Sequence, residues 1–216
     1  MTELKKYPRT VHLPGSSGKT ADDLSMHQMS FVHLSRLGDY VVTEKMDGGN
    51  LTMTRDEFFA RSLDSGTHHW DTYARRIWAE KRWNIPVGWR VTGESLYARR
   101  SVAYDNLSSY FQVFAIFDEN DIIIDWDRTE SYCHLWGFDL VPVLYRGPDF
   151  KAARNAWHEQ CNAATSEGYV IRYAGNIESG PELYSKRGKW VRPNHVNTRD
   201  DWRHRTDYAK NGLRNA

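Results

Sequence analysis

The chain has 216 residues, of which 40% are hydrophobic and 26% are charged, a size and composition typical of one folded catalytic domain rather than two. Its formal net charge of +1 excludes a general electrostatic attraction to polyanions, so any nucleic-acid binding must come from local basic patches. The two cysteines, Cys133 and Cys161, exclude a disulfide framework, and no apolar run reaches the length of a membrane span. We therefore expect a cytoplasmic protein without membrane contact.

The first 20 residues are rich in proline, glycine and polar side chains, which predicts an irregular N-terminal arm followed by a helix that starts near Ala21. The segment Gly15–Thr20 has the composition of a phosphate-binding loop. That motif requires four residues between its glycines, and only two separate Gly15 from Gly18, so the segment is interpreted as part of the arm.

The next element is a predicted hairpin. Residues 40–45 alternate as a strand, the Asp47–Asn50 cluster favours a turn, and residues 51–54 return as a second strand. This arrangement would place Lys45 and Asp47 on one face.

Downstream, apolar residues recur at helical spacing from His69 to Trp83, and Pro86 ends the run. Short apolar runs predict strands, and two longer amphipathic runs predict helices. The strands span 89–92, 111–117, 122–124, 141–144 and 169–173, and the helices 128–136 and 150–164. The chain is thus predicted to be α+β and rich in antiparallel sheet.

Three charged segments are candidates for chemistry. Lys45 lies in a Lys-x-Asp-Gly sequence, which taken alone is more typical of a charged hairpin tip than of a nucleophile. A nucleophilic lysine must be neutral, so nearby cations, a metal or desolvation must lower its pKa. The cluster Ser185–Arg192 supplies such cations, and Glu167, just before a strand, is suited to recruit Mg²⁺.

Two further segments suit a nucleotide. Glu94 follows a predicted strand and could bond ribose hydroxyls, although a surface glutamate is an equally good interpretation. The strand Phe111–Phe117 is aromatic, and such side chains are more often core than ligand contacts.

Taken in order, these elements resemble the covalent nucleotidyltransferase superfamily of DNA ligases, RNA ligases and mRNA capping enzymes. Its motif I resembles Lys45–Gly48, motif III Phe114–Asp118, motif IV Glu167–Ile171, and motif V the stretch around Lys189. The resemblance spans most of Lys45 to Arg192.

The details are most similar to the RNA ligase 2 type. The resemblance implies that Lys45 takes up AMP and Lys189 stabilises the α-phosphate. It implies nucleotide-binding roles for Asp47 and Gly48 of motif I, adenine contact by Glu44, phosphate contact by Arg61, ribose contact by Glu94, stacking by Phe114 and metal binding by Glu167. The second cation of motif V departs from the usual spacing, which leaves Lys186 and Arg192 as alternatives.

The resemblance also implies the architecture: one nucleotidyltransferase (adenylation) domain of two antiparallel sheets with flanking helices, and no OB-fold domain. We expect the arm at 1–20, this domain at 21–195 and a short basic helical extension at 196–216. Thr198 to Asn211 of the extension would either touch substrate or dock on the core.

The function implied is that of an ATP-dependent RNA ligase that uses ATP and Mg²⁺ (or Mn²⁺) to join RNA ends or nicks, as a monomer. Two alternatives stay open. One is a minimal ATP-dependent DNA ligase or another AMP transferase, and the other is a binding module that does no chemistry.

Overall fold

The fold is that of a computed structural model, which describes residues 4–62, 68–195 and 209–214. Within these ranges the chain forms four α-helices and nine strands. The helices are α1 (Gln28–Leu34), α2 (Thr72–Lys81), α3 (Trp126–Trp136) and α4 (Phe150–Gln160). The strands are β1 (Tyr40–Glu44), β2 (Gly49–Met53), β3 (Phe58–Ala60), β4 (Arg90–Ser95), β5 (Phe111–Phe117), β6 (Asp139–Leu140), β7 (Val143–Gly147), β8 (Gly168–Tyr173) and β9 (Arg187–Val191).

The strands form two sheets, and the α+β prediction is confirmed. One sheet has the order β7-β1-β8-β9 and is antiparallel throughout. The other has the order β3-β2-β4-β5-β6. Its last pair, β5 with β6, is parallel over two residues, so the prediction of two antiparallel sheets holds except at this edge.

The predicted hairpin of residues 40–54 is wrong. β1 pairs with β7 and β8, whereas β2 pairs with β3 and β4 in the other sheet. The chain crosses between the sheets through Lys45–Gly48, so this segment lies between the two layers instead of at an exposed turn. Local alternation predicted both strands correctly but could not identify their partners.

Other boundaries also shift. α1 begins at Gln28 rather than near Ala21, because the Asp23 side chain accepts bonds from the backbone N and Oγ1 of Thr20 and holds a turn there. Residues 122–124 form no strand, and only Ile123 makes isolated bridges, to Phe117 and Ile177. The predicted strand 141–144 is only half correct. Val143 and Leu144 belong to β7, whereas Val141 and Pro142 lie between β6 and β7, which are in different sheets.

Capping residues fix both ends of α3 and the start of α4. Asp125 caps α3 by accepting a bond from Arg128 N at 2.8 Å, and Gly137 ends it with a φ of 75°, a conformation that favours glycine. Asp149 caps α4 in the same manner. α4 ends at Gln160 rather than Ala164.

Three apolar clusters hold the layers together. α2 and α3 cover one face of the five-stranded sheet, α1 and α4 cover the four-stranded sheet, and a third cluster that includes Val41, Leu96 and Trp126 lies where the sheets meet. Because the sheets contact each other through this third cluster, side chains at their facing ends are brought together across the interface.

Residues on both sides of the predicted domain are tied to it. In the arm, Leu13 N donates to Lys189 O at 2.8 Å and Lys189 N donates to Val11 O at 2.9 Å, which extends the sheet beyond β9. Residues 209–214 dock on the loop 96–107, where Asn211 bonds Leu96 O and Tyr104 N. The rest of the predicted C-terminal helix, 198–208, lies outside the described residues. None of the helices in the described ranges is long and apolar enough to cross a membrane.

Candidate active site

A cleft of about 300 Å³ lies between the sheets. Both sheets contribute to its walls. The cleft therefore forms where the chain crosses from one sheet to the other at Lys45. Seven of the predicted site residues line it: Glu44, Lys45, Gly48, Arg61, Glu94, Phe114 and Lys189. These seven residues are up to 145 positions apart in the sequence, from Glu44 to Lys189.

Lys45 follows the end of β1 and is anchored by its backbone N, which donates to Gly168 O at 2.9 Å. Its Nζ lies 2.5 Å from Glu167 Oε2, and 26% of its side chain is exposed to the cleft. Burial alone would lower the pKa of Lys45, but the charges of Glu167, Glu94 and Asp47 outweigh it and raise the pKa above the ordinary value. The protein's own groups thus hold Lys45 as an ammonium, contrary to the lowered pKa expected from the sequence.

Glu167 is buried at the start of β8, between Lys45 and the segment after β9. The next residue, Gly168, has a φ of 156°, and a Cβ there would lie 2.0 Å from Trp190 O. This close approach of the two strands requires glycine. Arg192 N donates to Glu167 O at 3.1 Å, which fixes the backbone of Glu167 from the other side.

Asp47 is held by two residues of the loop that follows β4. Its Oδ2 accepts from Val102 N at 2.9 Å, and its backbone N donates to the hydroxyl of Tyr104 at 2.9 Å. Tyr104 N in turn donates to Asn211 Oδ1 at 3.0 Å. The docked C-terminal residues therefore support the motif I loop from behind.

His195 was not predicted from the sequence. It is buried, and its Nε2 lies 3.3 Å from Glu167 Oε1 and 3.8 Å from Asp47 Oδ1. Burial lowers the pKa of His195 despite the opposing effect of the two carboxylates. Its signal in the sequence is weak, since a histidine a few residues beyond a basic strand has no distinguishing pattern.

Among the described residues, one group of side chains has ligand atoms close enough to hold a metal ion. It consists of Asp47, Glu167 and His195, whose candidate atoms all lie within 4.8 Å of one another. Two carboxylates and an imidazole are a chemically suitable set for a divalent cation, so the residues fit the metal that the sequence predicted near Glu167.

Lys189 projects from β9 into the cleft and is paired on its other side. Its Nζ lies 3.0 Å from Asp23 Oδ1, and Asp23 is also 3.4 Å from Nε2 of the buried His12. Burial lowers the pKa of Lys189 although Asp23 opposes this effect. Asp23, just after the N-terminal arm, thus provides the counter-ion of the predicted motif V cation, a contact that no local pattern revealed.

Glu94 faces the cleft from β4. Burial raises its pKa to about 7, against the opposing charges of Lys45 and Arg100. Arg100 lines the same wall, and burial lowers its pKa although Glu94 and Asp47 counteract this. Neither sequence spacing nor strand pattern had indicated Arg100.

The aromatic wall of the cleft is built jointly by β5 and the arm. Phe114 packs edge-on against Tyr7, with ring centroids 5.0 Å apart. The buried Arg187 contacts the Tyr7 hydroxyl and donates to Pro8 O at 3.1 Å. Tyr7 and Arg187 therefore belong to the lining, although the sequence had suggested only Phe114.

Two predicted residues of the motif V region lie outside the cleft lining. Lys186 Nζ pairs with Glu182 Oε2 at 2.5 Å. Arg192 Nε donates to Ser166 O at 3.0 Å, next to Glu167. Of the three cations predicted for motif V, Lys189 is the one that lines the cleft.

Comparison with known proteins agrees with this geometry. The RNA ligase family model matches residues 38–191. An archaeal ATP-dependent RNA ligase superposes with a TM-score of 0.59 at 15% identity, over 87% of this chain and 48% of its own. A putative ATP-dependent DNA ligase from Aquifex aeolicus superposes with a TM-score of 0.51 at 14% identity, over 87% and 50%.

A mutant of the Naegleria gruberi RNA ligase, solved with ATP and Mn, gives a TM-score of 0.51 at 14% identity, over 86% of this chain and 60% of its own. The chain therefore spans about half to three-fifths of the length of these proteins, and at such identities they establish the shared nucleotidyltransferase fold alone. No curated protein sequence matches the chain.

Proposed function

Because the chain belongs to the RNA ligase family, we propose that it is an ATP-dependent RNA ligase that works through AMP bound covalently to Lys45. The observation that best supports this function is the position of Lys45. Its Nζ faces a cleft between two sheets, with a carboxylate at 2.5 Å and Lys189 among the residues of the same cleft. A pure binding site has no need of a partly buried amine placed in this way.

In the first step, Lys45 Nζ attacks the α-phosphorus of ATP. A P–N bond forms, the bond from the α-phosphorus to the bridging oxygen of the β-phosphate breaks, and pyrophosphate leaves. The ammonium must first lose a proton, and Glu167 Oε2 is the acceptor within hydrogen-bond distance. A divalent cation, when bound by Glu167 and its neighbours, supplies positive charge that lowers the pKa of Lys45 and stabilises the phosphate oxygens.

The cleft residues have roles that follow from their chemistry. Lys189 and Arg61 neutralise phosphate oxygens, Phe114 packs on the base, and Glu94 accepts hydrogen bonds from the ribose hydroxyls. Glu44, whose pKa burial raises despite a bond from Ser166, contacts the adenine edge. Asp47 and Gly48 shape the turn that presents Lys45.

The second and third steps use the same site. A 5′-phosphate oxygen of RNA attacks the phosphorus of lysyl-AMP, the P–N bond breaks and the amine of Lys45 is regenerated. A 3′-hydroxyl then attacks the activated 5′-phosphate, AMP leaves and a phosphodiester forms. The substrates are thus RNA ends or nicks and ATP, with residues 21–195 as the catalytic domain, the arm 1–20 contributing to its cleft, and 196–216 as a basic extension.

The test of the first step is covalent labelling. The protein is incubated with Mg²⁺ or Mn²⁺ and ATP labelled at the α-phosphate, followed by denaturing electrophoresis, beside Lys45→Ala and the exposed-lysine control Lys151→Ala. We expect label on the wild type and Lys151→Ala and none on Lys45→Ala. No label on any variant would reject the catalytic proposal, and label from GTP instead of ATP would indicate capping chemistry.

The test of the substrate uses matched nicked duplexes that differ only in RNA or DNA at the nick. Sealing of the RNA nick at a greater rate supports the proposal, because the 2′-hydroxyl is the group that separates the two substrates. Faster sealing of the DNA nick would identify a compact DNA ligase.

A further inference from the structure

A buried histidine faces the two carboxylates next to the nucleophile. We propose that His195 is a direct ligand of the divalent cation, together with Asp47 and Glu167, and that the imidazole makes this site select Mn²⁺ over Mg²⁺. The part that the cation plays in ligation rests on the proposed function, but its binding by these three residues does not.

Each carboxylate has one oxygen fixed by the protein and the other directed at the histidine. Asp47 Oδ2 accepts from Val102 N at 2.9 Å, while Oδ1 faces His195. Glu167 Oε2 pairs with Lys45, while Oε1 faces His195. Both acidic groups are therefore oriented before any cation binds, which reduces the entropic cost of coordination.

His195 is oriented toward the same point. Its side chain is 5% exposed, and its Nδ1 has no hydrogen-bond partner among the described residues. With the ring proton on Nδ1, the lone pair of Nε2 faces two carboxylate oxygens, and these three electron-rich atoms repel one another. A cation bound between them would remove this repulsion.

The separations match coordination by one ion. For metal–ligand distances near 2.1–2.3 Å, adjacent ligand atoms in an octahedron lie roughly 3 Å apart and opposite ones roughly 4.4 Å apart. The 3.3 Å from Nε2 to Glu167 Oε1 is close to the adjacent separation, and the 3.8 Å from Nε2 to Asp47 Oδ1 lies between the adjacent and the opposite separation. All three atoms lie within 4.8 Å of one another. Shifts of a few tenths of an ångström would complete the site.

The backbone explains how His195 reaches this position. β9 ends at Val191, and Arg192 N is bonded to Glu167 O. Asn194 has a φ of 56°, which turns the chain back toward Glu167. Asparagine tolerates this left-handed conformation better than most residues, so the turn that delivers His195 is encoded locally.

The ligand set determines the selectivity. Mg²⁺ strongly prefers oxygen ligands and retains several waters, whereas Mn²⁺ accepts imidazole beside carboxylates. An imidazole therefore adds more to the binding of Mn²⁺ than to that of Mg²⁺.

The test uses Mn²⁺ alone, without nucleotide, on the full chain. Electron spin-echo envelope modulation of bound Mn²⁺ detects the ¹⁴N nucleus of a directly coordinated nitrogen ligand, and the His195 variant assigns that nitrogen to the imidazole. We expect this coupling in the wild type and in His134→Gln, an exposed-histidine control, and its loss in His195→Gln. Titration should show Mn²⁺ bound about tenfold more weakly by His195→Gln, with a smaller change for Mg²⁺.

Absence of ¹⁴N coupling in the wild type would overturn the proposal, whether or not the His195 variant folds. Equal loss of Mn²⁺ and Mg²⁺ affinity in His195→Gln would overturn the selectivity. If the coupling is present but Lys45 acquires no label from ATP, the metal site stands and the proposed function fails.

Discussion

Acid should destabilise the protein through His12, the arm residue beside the Asp23–Lys189 pair. Its side chain is 2% exposed, and its Nδ1 lies 2.7 Å from Ser16 Oγ. Burial lowers the pKa of His12 from 6.5 to about 4, and the charges of Lys189 and Lys45 act in the same direction, while Asp23 opposes them. The folded protein thus keeps this ring neutral at a pH where the unfolded chain protonates it.

The magnitude follows from proton linkage. Because the folded-state pKa lies below the unfolded value, the contribution of His12 is fully present above pH 6.5 and is lost as the pH falls toward 4. One pKa unit corresponds to about 1.4 kcal/mol, so the loss amounts to about 2 kcal/mol at pH 5 and about 3 kcal/mol below pH 4.

The assay is urea unfolding of the wild type and His12→Gln between pH 7.5 and pH 4.5, with His134→Gln as an exposed-histidine control. Other groups titrate in all three proteins, so the difference between them isolates His12. We expect the free energy of unfolding of His12→Gln to fall less steeply below pH 6.5 than that of the wild type and His134→Gln. Parallel curves for all three would refute the argument that burial keeps His12 neutral.

Two further predictions concern the groups around Lys45 and Lys189. Gly168→Ala places a Cβ 2.0 Å from Trp190 O, so β8 and β9 must separate and displace Glu167. We expect a lower melting temperature by circular dichroism and at least about tenfold slower lysyl-AMP formation, and an unchanged rate would contradict this. Asp23→Asn removes the carboxylate that raises the pKa of Lys189. The fall in the rate of lysyl-AMP formation at alkaline pH should therefore begin at a lower pH, which a single-turnover profile from pH 7 to pH 10 measures. An unchanged profile would show that Asp23 does not raise the pKa of Lys189.

The sequence was informative wherever a functional residue adjoins a strand. Lys45, Glu167 and Lys189 each lie at or within an apolar run that forms a strand, and β5 was predicted with its observed bounds. The order of these segments also indicated the family. Strand propensity is a local property, so it survives in a single sequence.

The partners of those residues could not be predicted in this way. Arg100 lines the cleft, Asp23 pairs with Lys189 and His195 faces Glu167. These contacts arise from pairings that link distant segments, such as the arm with β9. The error at residues 40–54 has the same origin: two neighbouring strands separated by a glycine-rich turn look like a hairpin, yet they enter different sheets. Which strand pairs with which depends on the whole topology.

The direction of the pKa of Lys45 shows the consequence for mechanism. From the sequence, cations were expected to lower it, but Glu167, Glu94 and Asp47 surround the amine and raise its pKa. Two of these three carboxylates belong to the group suited to a metal ion. A cation held by Asp47 and Glu167 offsets the same negative charge that keeps Lys45 protonated, so metal affinity and the fraction of neutral amine are linked. Tighter binding of the cation by Asp47 and Glu167 should therefore also increase the fraction of Lys45 that is neutral and able to attack at a given pH.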